Sequence, residues 1–142
     1  RKAMEDAHFY LPSGDSHLFG VFDGHAGGDA ANYVCEQFKQ RFFTQLKECN
    51  NDVYATFQKL FVDIEKDVCS NEKFDWQGTT AVVGFIFNRK LWIANLGDSE
   101  ANIYRKIGED RTLKSIPLSY VHDWSHPKDA QRGTAAIGKW KK

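Results

Sequence analysis

No stretch of the chain approaches the roughly 18 consecutive apolar residues that a membrane-crossing helix needs, and the first residues carry no signal-peptide pattern. Cysteine is sparse as well: Cys35, Cys49 and Cys69 are odd in number and lack CxxC spacing, which argues against a disulfide framework and against a zinc site. Reduced thiols and an intracellular setting, cytoplasmic or nuclear, are the expectation. Charge of one sign is also missing, because 19 Lys plus Arg balance 19 Asp plus Glu. The balance excludes a basic footprint for nucleic acid and a polybasic stripe for a membrane surface. What remains is 142 residues, 42% hydrophobic and 14% aromatic, enough for one globular core and short for two domains. The first residue is Arg1 rather than Met, from which an excerpt of a longer protein is expected.

One segment looks built for chemistry: residues 19–28, FGVFDGHAGG. Residues 18–22 form a short apolar run with aromatic and β-branched members, the composition of a buried strand. Asp23 ends it, Gly24 permits a sharp turn, His25 follows, and Gly27 and Gly28 allow close backbone approach before a helical pattern begins at Asp29. Asp-Gly is a common turn, so this strand, turn and helix could be purely structural. Two neighbours favour chemistry. Arg1 stands four residues ahead of the adjacent carboxylates Glu5 and Asp6, and Gly97, Asp98 and Ser99 close another apolar strand. Carboxylates at three strand ends and turns suggest a hard cation with oxygen ligands.

Residues 7–11 and 17–22 flank Pro12, Ser13, Gly14 and Asp15, which reads as a β-hairpin that would bring Glu5 and Asp6 near Asp23. From Asp29, Ala31, Val34, Cys35, Phe38, Phe42 and Leu46 recur at helical spacing, up to a break at Asn50 and Asn51. Asp52 is then a good N-cap for a second helix with an apolar face of Val53, Tyr54, Phe57, Leu60, Phe61, Ile64 and Val68. The two helices should pair antiparallel, their aromatic stripes serving as core. Residues 70–77 read as a loop in which Trp76 is a packing anchor. Residues 79–87, apolar on both alternating faces, read as a central strand. A turn at 88–90 leads to a strand at 91–96, and a hairpin joins 101–105 to 112–118. His122 and His126 are four apart, but Trp124 and Pro127 argue for a loop there rather than a metal-binding helix. Residues 139–142 read as a solvated terminus. Strands, two helices and a run of strands indicate an α+β fold with mainly antiparallel sheets.

Four segments in order, RKAMEDAH at 1–8, FGVFDGHAGG, GTTAVVGFIF at 78–87 and LWIANLGDS at 91–99, together resemble the successive motifs of the metal-dependent type 2C serine/threonine protein phosphatases. The resemblance covers about residues 1–118, leaving 119–142 as a poorly matched tail of what is otherwise a single, truncated catalytic domain. It implies part of a four-layer αββα sandwich, two mainly antiparallel sheets packed face to face and flanked by helices. It also implies hydrolysis of phosphoserine and phosphothreonine in proteins, with a phosphoprotein as substrate and Mg²⁺ or Mn²⁺ as cofactor.

Transferred residue by residue, the resemblance makes Asp23 the candidate bridge of a two-metal site. Glu5 and Asp6 would hold metal or its waters, Gly24 would offer its carbonyl, and Asp98 would belong to a further, weaker metal position. Arg1 would clamp two phosphoryl oxygens in a bidentate way, and His25 would protonate the leaving alkoxide as general acid. Glu100 stands where the family usually carries an arginine. Further family aspartates lie in a C-terminal half absent here, so an incomplete ligand shell, slow or absent turnover and self-association of the chain are expected. Two alternatives remain open: a catalytically impaired relative that binds partners, and hydrolysis of a small phosphate ester.

Overall fold

The computed structural model describes residues 4–108, 111–123 and 125–132. The first hairpin pairs β1 (Ala7–Ser13) with β2 (Ser16–Phe22), from Ala7 opposite Phe22 to Ser13 opposite Ser16. Both strands run further than their sequence suggests, leaving Gly14 and Asp15 as the turn, closed by the Ser16 hydroxyl donating to the Ser13 carbonyl at 2.6 Å. Pro12 lies inside β1 without harm, because β1 is the outer strand of its sheet and needs no ladder donor on its free side.

Helix α1 (Asp29–Glu48) buries Ala31, Val34, Cys35, Phe38, Phe42 and Leu46, as the periodicity requires. Asn50 and Asn51, both at positive φ, turn the chain into α2 (Val53–Cys69). Asp52 caps α2, accepting from the Ala55 N–H at 3.0 Å. Arg41 meets Asp67 at 2.7 Å and Gln45 meets Lys59 at 2.7 Å, so position rises along one helix as it falls along the other and the pair is antiparallel. The apolar face of α2 differs in two places from its sequence expectation. Tyr54 is 69% exposed, whereas Thr56 is fully buried. Thr56 is tolerated inside because its hydroxyl donates to the Asp52 carbonyl at 2.7 Å.

A four-stranded antiparallel sheet carries the helices on one face, with β1 and β2 followed by strands over Ala81–Phe87 and Lys90–Leu96. Its inward side chains are Ala7, Phe9, Leu18, Phe22, Ala81, Val83 and Phe85, and Phe22 meets Phe38 at 5.9 Å between ring centroids while Phe85 meets Phe42 at 4.8 Å. The strand expected over 79–87 is interrupted at Thr80. Before it, β4 (Gly78–Thr79) pairs with β3 (Gly24–His25); after it, β5 (Ala81–Phe87) takes the central place between β2 and β6 (Lys90–Leu96).

A ribbon of β7 (Asn102–Ile107) and β8 (Thr112–Pro117) follows. Together with Phe19, Val21, Val82 and Ile93 from the outward face of the sheet, Ile103 and Leu118 line a cavity of about 380 Å³. The architecture is α+β, with helices on one side of the main sheet and this ribbon beside the other.

One further local expectation is corrected, and another holds. Trp76 is 89% exposed and anchors nothing; Phe74, in a 3₁₀ turn at Glu72–Phe74 inside the expected loop, is buried and packs on Tyr33 at 5.2 Å. His122 and His126 lie in irregular chain, but residues 127–132 are helical. Pro127 starts that turn, where a proline has no donor to lose. No helix among the described residues is long and apolar enough to cross a membrane.

Candidate functional site

Beyond the Ala7–Phe22 pair, the next residues on the two strands are Asp6 and Asp23, so both carboxylates leave the ladder at the same end. Asp6 is exposed and Asp23 half-buried. Gly24 comes next and is buried because Glu5 passes directly over it. A β-carbon on Gly24 would run into the Glu5 carbonyl and lie 3.1 Å from the Gly27 carbonyl. The glycine in the DGH sequence therefore lets the segment carrying Glu5, just ahead of β1, close onto the turn. Gly28 is the second floor of that contact, its would-be β-carbon 3.4 Å from Glu5 Cα. The hairpin thus brings Glu5, Asp6, Asp23 and Gly24 together.

His25 projects from β3 opposite Gly78, and its exposed ring lies over Gly78 so closely that a β-carbon there would be 2.5 Å from its Cε1 and Nε2. Behind it, the imidazole borders a cavity of about 180 Å³ shared with Phe38, Phe61, Ile64 and Leu96. One flank of the ring thereby faces a mostly apolar cavity that Glu65 also borders, and the other is open to solvent.

Helix α1 begins immediately after this turn, and Gly28 at its N-cap has no side chain to satisfy the free N–H groups. Gln77 supplies what is missing. Its Oε1 accepts from the Asp29 N–H at 3.0 Å and from the Ala30 N–H at 3.2 Å. Lys73 reaches the Asp29 carboxylate at 3.6 Å. Sequence reading missed Gln77, because a cap delivered from far along the chain leaves no local pattern.

Asp98 is exposed in the turn after β6. It is linked to the Asp23 turn through Thr80, whose hydroxyl lies 2.7 Å from Ser99 Oγ and accepts from the Asp23 N–H at 3.1 Å. On its other side, Gly97 donates to His122 Nδ1 at 3.2 Å and accepts from the His122 N–H at 3.0 Å. Thr80 and His122 were not recognised as site residues; GTT gives away a strand but not which hydroxyl turns inward. Glu100, in the place of the family's arginine, accepts from Asn102 Nδ2 at 3.1 Å. Further on, the Ser125 hydroxyl donating to Asp123 holds that carboxyl below the usual range and fixes the turn leading to His126.

Arg1 lies outside the described residues. Among the described residues, no three His, Cys, Asp or Glu side chains are grouped so as to hold a metal ion by themselves. The carboxylates of Glu5, Asp6, Asp23 and Asp98 and the backbone carbonyls beside them nevertheless offer oxygen donors. That chemistry suits Mg²⁺ or Mn²⁺, which keep several waters and need few protein ligands.

The sequence model of the family described as protein phosphatase 2C matches residues 1–141. A probable protein phosphatase 2C of Caenorhabditis elegans is 33% identical over 97% of this chain and 39% of its own length, and one from Paramecium tetraurelia is 33% identical over 97% and 49%. Among solved structures, a sex-determining protein of C. elegans superposes with a TM-score of 0.74 at 22% identity over 93% of this chain and 34% of its own. The serine-threonine phosphatase 2C of Toxoplasma gondii gives 0.66 at 20% identity, over 93% and 50%. The chain therefore spans less than half the length of these curated relatives. The segment that gathers Glu5, Asp6, Asp23 and His25 lies inside a match that runs nearly from end to end, and on that match the chain belongs to the protein phosphatase 2C family.

Proposed function

We propose that the chain carries the N-terminal part of a catalytic domain that hydrolyses phosphoserine and phosphothreonine in proteins, with Mg²⁺ or Mn²⁺ as cofactor. The observation that carries this reading is the closure of the Glu5 backbone over Gly24, which brings residues 5 and 6 alongside the turn that holds Asp23 and, two residues further on, His25. Asp23 would bridge two ions, Glu5, Asp6 and the Gly24 carbonyl would hold them or their waters, and Asp98 would serve a further, weaker position. Bound there, the ions would supply the Lewis acidity that makes water a nucleophile at neutral pH.

The rest falls to the chain's own groups. In the reaction the ester P–O bond breaks, the oxygen of water joins phosphorus, and the departing serine or threonine oxygen needs a proton. His25, exposed at the edge of the site, gives its imidazole proton to that oxygen. Arg1 holds two phosphoryl oxygens through its guanidinium, a planar fork that lysine lacks. An intracellular setting, where Cys35, Cys49 and Cys69 stay reduced, fits a phosphoprotein substrate.

A catalytically impaired, partner-binding relative is the second reading, favoured by the lack of a three-ligand cluster among the described residues. Phosphate release from a phosphothreonine peptide in millimolar Mn²⁺ decides between them. Slow release that stops with EDTA and falls at least about tenfold in Asp23→Ala, a barrier change of ~1.4 kcal/mol, supports the enzyme. Release indifferent to EDTA overturns the metal mechanism, and a complete lack of release by a chain extended to the length of its relatives favours the impaired relative.

A further inference from the structure

The two acidic turns, at Asp23 and Asp98, meet at one side chain that neither the motif nor the proposed chemistry assigns. Thr80 stands between β4 and β5, where the chain passes from one sheet to the other. Its N–H donates to the Asp23 carbonyl at 2.9 Å, and its hydroxyl accepts from the Asp23 N–H at 3.1 Å, so Asp23 is held on both sides of its own α-carbon. A hydroxyl has two lone pairs and one proton, so the same oxygen can also share a hydrogen bond with Ser99 Oγ, 2.7 Å away. Ser99 directly follows Asp98. The Thr80 methyl fills the remaining space beside Gly97: a β-carbon on Gly97 would lie 2.8 Å from Thr80 Cγ2, and Gly97 sits at φ +98°, a conformation suited to glycine. His122 closes the far side of Gly97 with its reciprocal pair of hydrogen bonds.

We infer that Thr80 is a positioning residue whose hydroxyl pins the Asp23 and Asp98 turns to each other, so that loosening either turn loosens both. The hydroxyl does the pinning; the methyl only fills space. Its consequence for catalysis rests on the metal-dependent reading above: an ion held by Asp23 and an ion held near Asp98 would then occupy mutually fixed positions. The pin itself rests on hydrogen bonds alone and can be measured without metal.

Thr80→Val keeps the branched shape and the methyl against Gly97 but removes the hydroxyl, and Thr80→Ser does the reverse. In the metal-free 142-residue chain, amide hydrogen exchange at Asp23 should accelerate about tenfold in Thr80→Val, the equivalent of one ordinary hydrogen bond, and stay near wild type in Thr80→Ser. Titration with Mn²⁺ should weaken by a similar factor in Thr80→Val and recover in Thr80→Ser. Unchanged Asp23 exchange in a folded Thr80→Val protein overturns the inference, as does Thr80→Ser exchanging as fast as Thr80→Val. Should Thr80→Val fail to fold, Thr80→Ser decides alone, with wild-type protection supporting the pin and lost protection overturning it. A wild-type chain that binds no Mn²⁺ yet gives the exchange contrast contradicts the metal reading and leaves the pin standing.

Discussion

His25 lays an exposed imidazole across Gly78, and its place two residues after Asp23 suits proton donation. His25→Gln should therefore slow a poor leaving group, such as a phosphoserine peptide, by about 10²–10⁴-fold, while an aryl phosphate, whose oxygen hardly needs a proton, loses far less. Parallel rate measurements on the two substrates check this, and equal slowing would make His25 structural. At this scale the acidic residues and the histidine were legible because each ends a strand or opens a turn. Thr56 and Thr80 were not. Whether a threonine hydroxyl faces solvent or a distant backbone N–H depends on where that N–H arrives, which only the folded chain settles. Trp76 misled for the opposite reason: a large aromatic in a polar loop suggests an anchor, yet Phe74 two residues earlier already fills that place.

Both helices could be read from periodicity, because each has one face on a common core and polar residues on the other. The interruption of the expected 79–87 strand could not, since its apolar pattern continues through the point where Thr80 bonds to Asp23 and the pairing partner changes from β3 to β2. The start of α1 was also placed correctly, although its cap comes from Gln77 rather than from the preceding residue. Gln77→Ala leaves two N–H groups without that acceptor and should lower stability by about 1 kcal/mol, the usual effect of losing an N-cap. Urea denaturation followed by circular dichroism measures it. A change in midpoint with an unchanged slope is the expected result, because the core is untouched.

The molecule as a whole leaves β6 at the edge of its sheet, with Leu91 and Leu96 partly exposed and Ile86 and Phe87 beside them on β5. Only Lys90, at the start of the strand, carries the charge that commonly guards such an edge. Sedimentation velocity should reveal association that grows with concentration and weakens in Leu91→Lys; a monomer at every concentration would contradict this. The family and the α+β class were legible at this scale because four motifs occur in order, each tied to an element that the structure contains. The ligand shell was less legible, since its completeness depends on how many carboxylates converge in space and not on how many the chain carries. Calorimetric titration of the 142-residue chain with Mn²⁺, run beside Asp23→Ala, tests the central claim most directly. Weak binding by the wild type that disappears in Asp23→Ala is the predicted result, whereas no binding by the wild type, or binding that survives the loss of Asp23, would contradict a metal centre built on this turn.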